Sequence, residues 1–135
     1  MKNYCIVGAS HGIGEQIGKL LAEENKVINI SRTEPQWSHS NLSHYEMDIT
    51  KDDLPDLDEI DGLVYCPGTI NLKPIKSLKP EDFRHDFEIN VLGAVKTVQK
   101  YIRNLKKGDN PAMVFFSTVA VKQGMPFHSS VAVSK

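Results

Sequence analysis

The sequence predicts an α/β fold, an open and doubly wound parallel sheet, on three observations. Short apolar runs alternate with amphipathic ones along the chain, as strands joined by crossover helices would. The first apolar run breaks into a glycine-rich turn, "GASHGIG", from Gly8 to Gly14. A late run, "AMVFFS", is almost continuously apolar, the pattern of a strand with both faces covered.

Taken in order, "YCIVG" is short, apolar and ended by glycine, so it reads as a buried strand. From Gly12 to about Glu24, Ile13, Ile17, Leu20 and Leu21 recur at helical spacing with charges on the other face. "KVINIS" is rich in β-branched residues and reads as the second strand. A polar loop with Pro35 runs from Arg32 to His44, and "YEMDI" reads as the third strand. "DGLVYC", cut off by Pro67-Gly68, is the fourth. A long helix follows. Pro80 suits its first turn, Glu81 and Asp82 its positive end, and Lys106-Lys107 before Gly108 its negative end. Phe83, Phe87, Val91, Val95, Val98, Ile102 and Leu105 form its expected apolar stripe. "AMVFFS" is the fifth strand, and no repeat, low-complexity tract or linker divides the chain. Residues 1–135 are therefore expected to form a single domain.

Composition narrows the function classes. With 16 Lys plus Arg against 17 Asp plus Glu, no charge excess points to nucleic acid or an anionic membrane. No apolar run approaches the roughly 20 residues of a membrane span, and the N-terminus does not read as a signal peptide. Cys5 and Cys66 both lie in apolar runs, as buried thiols of a reducing compartment would. There is no His/Cys cluster at metal-ligand spacing. A cytoplasmic location is the expectation.

Ligands on doubly wound sheets bind beyond the carboxyl ends of the strands, where the strand order reverses. "GASHGIG" sits there and has the logic of a phosphate cradle. Gly8 permits a tight turn, Gly12 lets backbone approach a pyrophosphate, and Gly14 lets the helix pack closely on the sheet. The spacing is G-x-x-x-G-x-G rather than the commoner G-x-G-x-x-G.

"GASHGIG", "MDIT" around Asp48, "VYCPG" ending in Gly68 and "INVLG" around Asn90 together resemble the short-chain dehydrogenase/reductase family, in its shorter, non-extended form. The resemblance implies a Rossmann-type sheet of order 3-2-1-4-5 for the part present, lacking the C-terminal strands, and a nicotinamide dinucleotide as ligand. It extends the cradle to Ser10, His11 and Ile13, sets Asp48 and Ile49 beside the adenine, and sets Gly68 near the second ribose. At the end of the second strand an acidic residue would bind a ribose 2'-hydroxyl and select NAD. Ser31-Arg32 stands there instead. A guanidinium offers a planar fork to a 2'-phosphate, so NADP(H) is expected over NAD(H). The family's usual Asn-Asn-Ala before Gly68 is replaced by Tyr65, Cys66 and Pro67, and Pro67 has no N–H to donate.

The family reduces carbonyls with an asparagine, a serine, a tyrosine and a lysine. On the resemblance these fall at Asn90, Thr118, Val131 and Lys135. Thr118 lies thirteen residues before Val131, with Ser117 the alternative if the register shifts by one. Val131 has no proton to give, and losing a positioned acid typically costs about 10²- to 10⁴-fold. His128, one helical turn before Val131, is a candidate replacement or a capping residue; Ser129 and Ser130 are N-cap candidates. Relatives continue past the lysine, so the sequence reads as the N-terminal part of a longer domain whose fifth strand would otherwise be an exposed edge. Two functions are consistent with the residues. One is an NADP(H)-linked oxidoreductase acting on a small carbonyl or alcohol substrate. The other is a nucleotide-binding pseudoenzyme serving as sensor, scaffold or oligomer partner. By analogy with the family, a homodimer or homotetramer is expected.

Overall fold

The structure, a computed structural model, describes residues 1–135. Its strands are β1 (Asn3–Val7), β2 (Lys26–Ser31), β3 (Leu42–Glu46), β4 (Gly62–Tyr65) and β5 (Ala112–Phe115). They form one parallel sheet of order β3-β2-β1-β4-β5, as expected. The helices are α1 (Gly12–Ala22), α2 (Pro80–Phe87), α3 (Gly93–Leu105) and the short α4 (Ser129–Ser134). No helix is long and apolar enough to cross a membrane.

Alternation along the central strands supplies two cores. Cys5, Val7, Ile30, Leu63 and Tyr65 turn one way, packing with Tyr101 and Leu105 of α3. Ile6, Val27 and Val64 turn the other way, packing with Ala9, Ala22 and Trp37. Side chains on successive strand residues point to opposite faces, so both faces of β1, β2 and β4 are covered.

Several elements differ from the sequence expectation. The third strand is Leu42–Glu46, earlier than "YEMDI". Asp48 Oδ1 accepts from Thr50 N at 2.9 Å and Thr50 Oγ1 at 2.6 Å, and this local Asx turn bends the chain out of the sheet. The single long helix is instead α2 and α3 joined by a π turn, Glu88–Leu92. One extra residue rotates the face by about 100°. The buried face of α3 is therefore Gly93, Thr97, Tyr101 and Leu105, whereas Phe87 and Val95 of the expected stripe are exposed. In α1 the buried residues are Gly14, Gly18 and Ala22, while Ile13 and Leu20 are 62% and 76% exposed. Close approach to the sheet selects small residues there: a Cβ on Gly18 would lie 2.8 Å from the Trp37 ring. Strand β5 is the sheet edge and all four of its side chains are exposed, against the expectation that both faces are covered. Finally, His128 is the N-cap residue of α4, without a side-chain capping bond, and Ser129 is the first helical residue.

Candidate functional site

A cleft of about 540 Å³ opens beyond the carboxyl ends of β1, β2, β3 and β4, at the reversal between β1 and β4. Of the expected ligand residues, Gly8, Ser10, His11, Gly12, Ile13, Gly14, Ser31, Arg32, Asp48, Ile49 and Gly68 all line it. Gly8 and Gly12 have φ of +87° and +64°, left-handed conformations that side chains disfavour. A Cβ on Gly14 would lie 2.1 Å from the Gly8 carbonyl oxygen, so the start of α1 sits against the turn itself. Backbone N–H groups at an exposed helix N-terminus are suited to a phosphate.

The turn rests on a polar network that the motif does not announce. Asn29, fully buried in the middle of β2, accepts from Ala9 N through Oδ1 at 2.9 Å. Its Nδ2 lies 3.0 Å from Ser31 Oγ, 3.1 Å from His44 Nδ1 and 3.3 Å from Ser10 Oγ. Ser10 and Ser31 share a hydrogen bond of 2.5 Å, and the Thr33 carbonyl, within reach of both hydroxyls, accepts from the one that does not donate to the other. Trp37 Nε1 donates to Ala9 O at 3.0 Å. The available signal was one amide inside the apolar run "KVINIS", because a buried amide demands partners.

Arg32 is exposed at the cleft and engages in no ion pair or side-chain hydrogen bond. Asp48 is held below the usual carboxylate range, first by the hydroxyl and N–H of Thr50, with smaller help from Lys51 and Arg32. Ile49 is buried and joins the core below the cleft. His85, Glu88 and Ile89 complete the lining and carry no sequence motif that would have picked them out.

Beyond Gly68 the chain brings Asn90 and Lys135 together. A Cβ on Gly68 would lie 2.9 Å from Lys135 Nζ and 3.2 Å from Asn90 Oδ1, so the bare backbone leaves room for both. Lys135 Nζ donates to Phe116 O at 3.3 Å, and burial lowers its pKa. Asn90 stands on the π turn, where Tyr65 Oη donates to the neighbouring Ile89 carbonyl at 2.5 Å. Tyr65 thus supports the helix side of the site. Cys66 lies beneath the turn, and burial pushes its thiol up to about 11, keeping it protonated and unreactive.

The remaining expected residues are not gathered in the same way. Thr118 Oγ1 accepts from Ala120 N at 3.4 Å and caps a short 3-10 turn, Val119–Val121. Ser117, the alternative, donates to the Lys135 carbonyl at 3.4 Å. His128 Nδ1 donates to Pro126 O at 2.6 Å. Val131, on α4, is only 4% exposed.

The comparisons with known proteins agree with this geometry. A family model described as "short chain dehydrogenase" matches residues 2–135. Cyclopentanol dehydrogenase of Comamonas sp. is 24% identical over 96% of this chain and 60% of its own length. An uncharacterized oxidoreductase of Schizosaccharomyces pombe is 26% identical over 96% of this chain and 59% of its own. A solved short chain dehydrogenase family protein from Francisella tularensis superposes with a TM-score of 0.86 at 25% identity, covering 100% of this chain and 58% of that one. The chain thus spans about 60% of the length of the curated relatives it matches. On the match along nearly its whole length, the chain belongs to the short-chain dehydrogenase family.

Proposed function

We propose that this chain binds NADP(H) in preference to NAD(H) and forms the nucleotide-binding part of an oxidoreductase acting on a small carbonyl or alcohol. The observation that carries the reading is Arg32, unpaired at the end of β2 on the same cleft as the Gly8–Gly14 turn. A carboxylate at that place would repel a 2'-phosphate, whereas a guanidinium meets it with a charge-assisted fork. The residues fit a dinucleotide: a backbone cradle for the pyrophosphate at one end, and a lysine and an amide for a ribose at the other. A bound nicotinamide supplies hydride transfer. In this reading the backbone of Gly12, Ile13 and Gly14 takes the phosphates, and Ser31 and Arg32 the adenosine phosphate. Asp48 and Ile49 border the adenine, and Gly68, Asn90 and Lys135 hold the nicotinamide ribose. Thr118, or Ser117, is the hydroxyl that would polarise a carbonyl.

Packed Val131 favours a second reading, nucleotide binding without turnover, in which the protein serves as sensor, scaffold or oligomer partner. Both readings carry a cytoplasmic setting and a homodimer or homotetramer as further proposals.

Titration with NADPH and NADH tests the shared part. Arg32→Ala is expected to weaken NADPH by about 10-fold or more, the loss of a charge-assisted pair, and to leave NADH nearly unchanged. Equal effects on the two would overturn the cofactor preference.

A further inference from the structure

Asp86 has no role in the site as described, and its burial needs an explanation. It lies on α2 four residues before Asn90 and is completely buried. Its Oδ1 accepts from Thr69 Oγ1 at 2.5 Å and from Asn71 Nδ2 at 2.9 Å. Its Oδ2 is buried without a partner, and no cation pairs with it. Enclosing a carboxyl group with one oxygen unmet is costly, and an apolar residue would pack α2 at less expense. What Asp86 provides is a fixed acceptor facing Thr69.

That acceptor sets the polarity of the bonds leading to the lysine. Because the Thr69 hydroxyl donates to Asp86, its lone pairs are left to accept, and Asn90 Nδ2 lies 3.4 Å away to donate. The Ser134 hydroxyl is set in the same sense: it donates to Ser130 O at 2.9 Å and is 3.3 Å from Asn90 Nδ2. Both hydrogens of the amide are therefore claimed on one side. Its Oδ1 is turned to Thr69 N, at 3.4 Å, and to the space over Gly68 that Lys135 Nζ also borders. The negative end of the amide and the ammonium thus border the same space over Gly68, 3.2 Å and 2.9 Å from the point its Cβ would occupy. With the amide reversed, two groups of donors would face one another.

We infer that Asp86 is a positioning residue for the nicotinamide end of the cleft, acting through Thr69 to hold the Asn90 carbonyl toward Lys135. This rests on the nucleotide reading above. Remove the acceptor, and the Thr69 hydroxyl is free to donate to Asn90 instead. The amide then loses the reason for its orientation, and the lysine loses its neighbour. The adenosine end is held by other residues, Ser31, Arg32 and the Gly8–Gly14 turn, and is not coupled to this chain of bonds.

The test compares NADPH with adenosine 2',5'-bisphosphate, which lacks the nicotinamide half, by titration calorimetry. Asp86→Leu is expected to weaken NADPH by about 10-fold while changing the bisphosphate by less than about 2-fold. Asp86→Asn keeps an oxygen that accepts from Thr69 and should restore most of the NADPH affinity. Thr69→Val removes the relay hydroxyl without touching the buried carboxyl group, so it reproduces the selective loss even where Asp86→Leu does not fold. Equal weakening of both ligands by Thr69→Val, or no weakening of either, overturns the inference, as does an Asp86→Asn protein as impaired as Asp86→Leu. A wild-type protein that binds neither ligand overturns the nucleotide reading instead.

Discussion

At the scale of single residues, Gly14 and Val131 mark opposite uses of space. The missing Cβ of Gly14 is what allows α1 to begin against the Gly8 carbonyl, so that position is set by the sheet and the turn together. Val131 fills space instead, buried on α4 four residues before Lys135. Its replacement by tyrosine supplies a proton donor near Lys135, whose ammonium would lower a phenol pKa. In the oxidoreductase reading proposed above, Val131→Tyr is expected to raise NADPH-dependent reduction of ketones and aldehydes by about 10²-fold or more over the wild-type rate. It should also lower stability by about 1–3 kcal/mol, because the site is already packed. The rate of NADPH oxidation and a denaturant titration check the two halves. An unchanged rate would mean that the missing proton is not what limits this site. The glycine turn was legible, because left-handed backbone at Gly8 and Gly12 selects that residue type at a set spacing. Asn29 and Asp86 were not, since a lone polar residue in an apolar run does not say which partners the fold will bring to it.

At the scale of elements, the strands of the central sheet were legible from apolar runs, but the phase of the helices was not. In α3 the stripe of Val91, Val95, Val98 and Ile102 has helical periodicity, yet the π turn rotates Gly93, Thr97, Tyr101 and Leu105 to the core. Nothing in a periodicity count records an extra residue in one turn. The turn packs against Tyr65, which occupies the space that a side chain at position 93 would need, with a Cβ there only 2.3 Å from Tyr65 Oη. The same hydroxyl donates to the Ile89 carbonyl inside the turn. Burial pushes the Tyr65 phenol well up, so it stays a donor at any working pH. Tyr65→Phe removes that donor and leaves a half-buried carbonyl unmet, which should cost about 0.5–1.5 kcal/mol. Denaturant titration at neutral pH measures the loss. An unchanged midpoint with an unchanged slope would show that the Ile89 carbonyl has another donor available.

At the scale of the whole molecule, Asp61 links segments far apart in the chain. Its Oδ2 accepts from Asn3 N at 2.8 Å and its Oδ1 from Asp109 N at 3.1 Å, so one carboxylate joins the starts of β1 and β4 to the turn before β5. Its backbone adds bonds of 2.7 Å to Asn3 O and 3.1 Å from Ala112 N. The bond from Asn3 N is the main cause that lowers the Asp61 pKa, followed by the bond from Asp109 N and the charges of Lys2 and the N-terminus, against an opposing contribution from burial. The sign follows from linkage. A folded-state pKa below the unfolded value of about 3.9 means that the unfolded chain binds the proton first as pH falls. The stabilisation is complete well above that value and is lost as pH falls through it to the lower folded-state pKa. Asp48 and Asp82, bonded to Thr50 and to the Lys79 N–H, are shifted in the same direction and act over the same window. Asp61→Asn should therefore lower the melting temperature at neutral pH and reduce, without abolishing, the fall of stability on acidification below about pH 5. The wild-type and variant curves should converge in strong acid, where Asp61 is protonated in both states of the wild type. Parallel curves, with the same difference at neutral and acid pH, would show that the lost bonds matter only for their geometry and that the charge of Asp61 does not hold the sheet together.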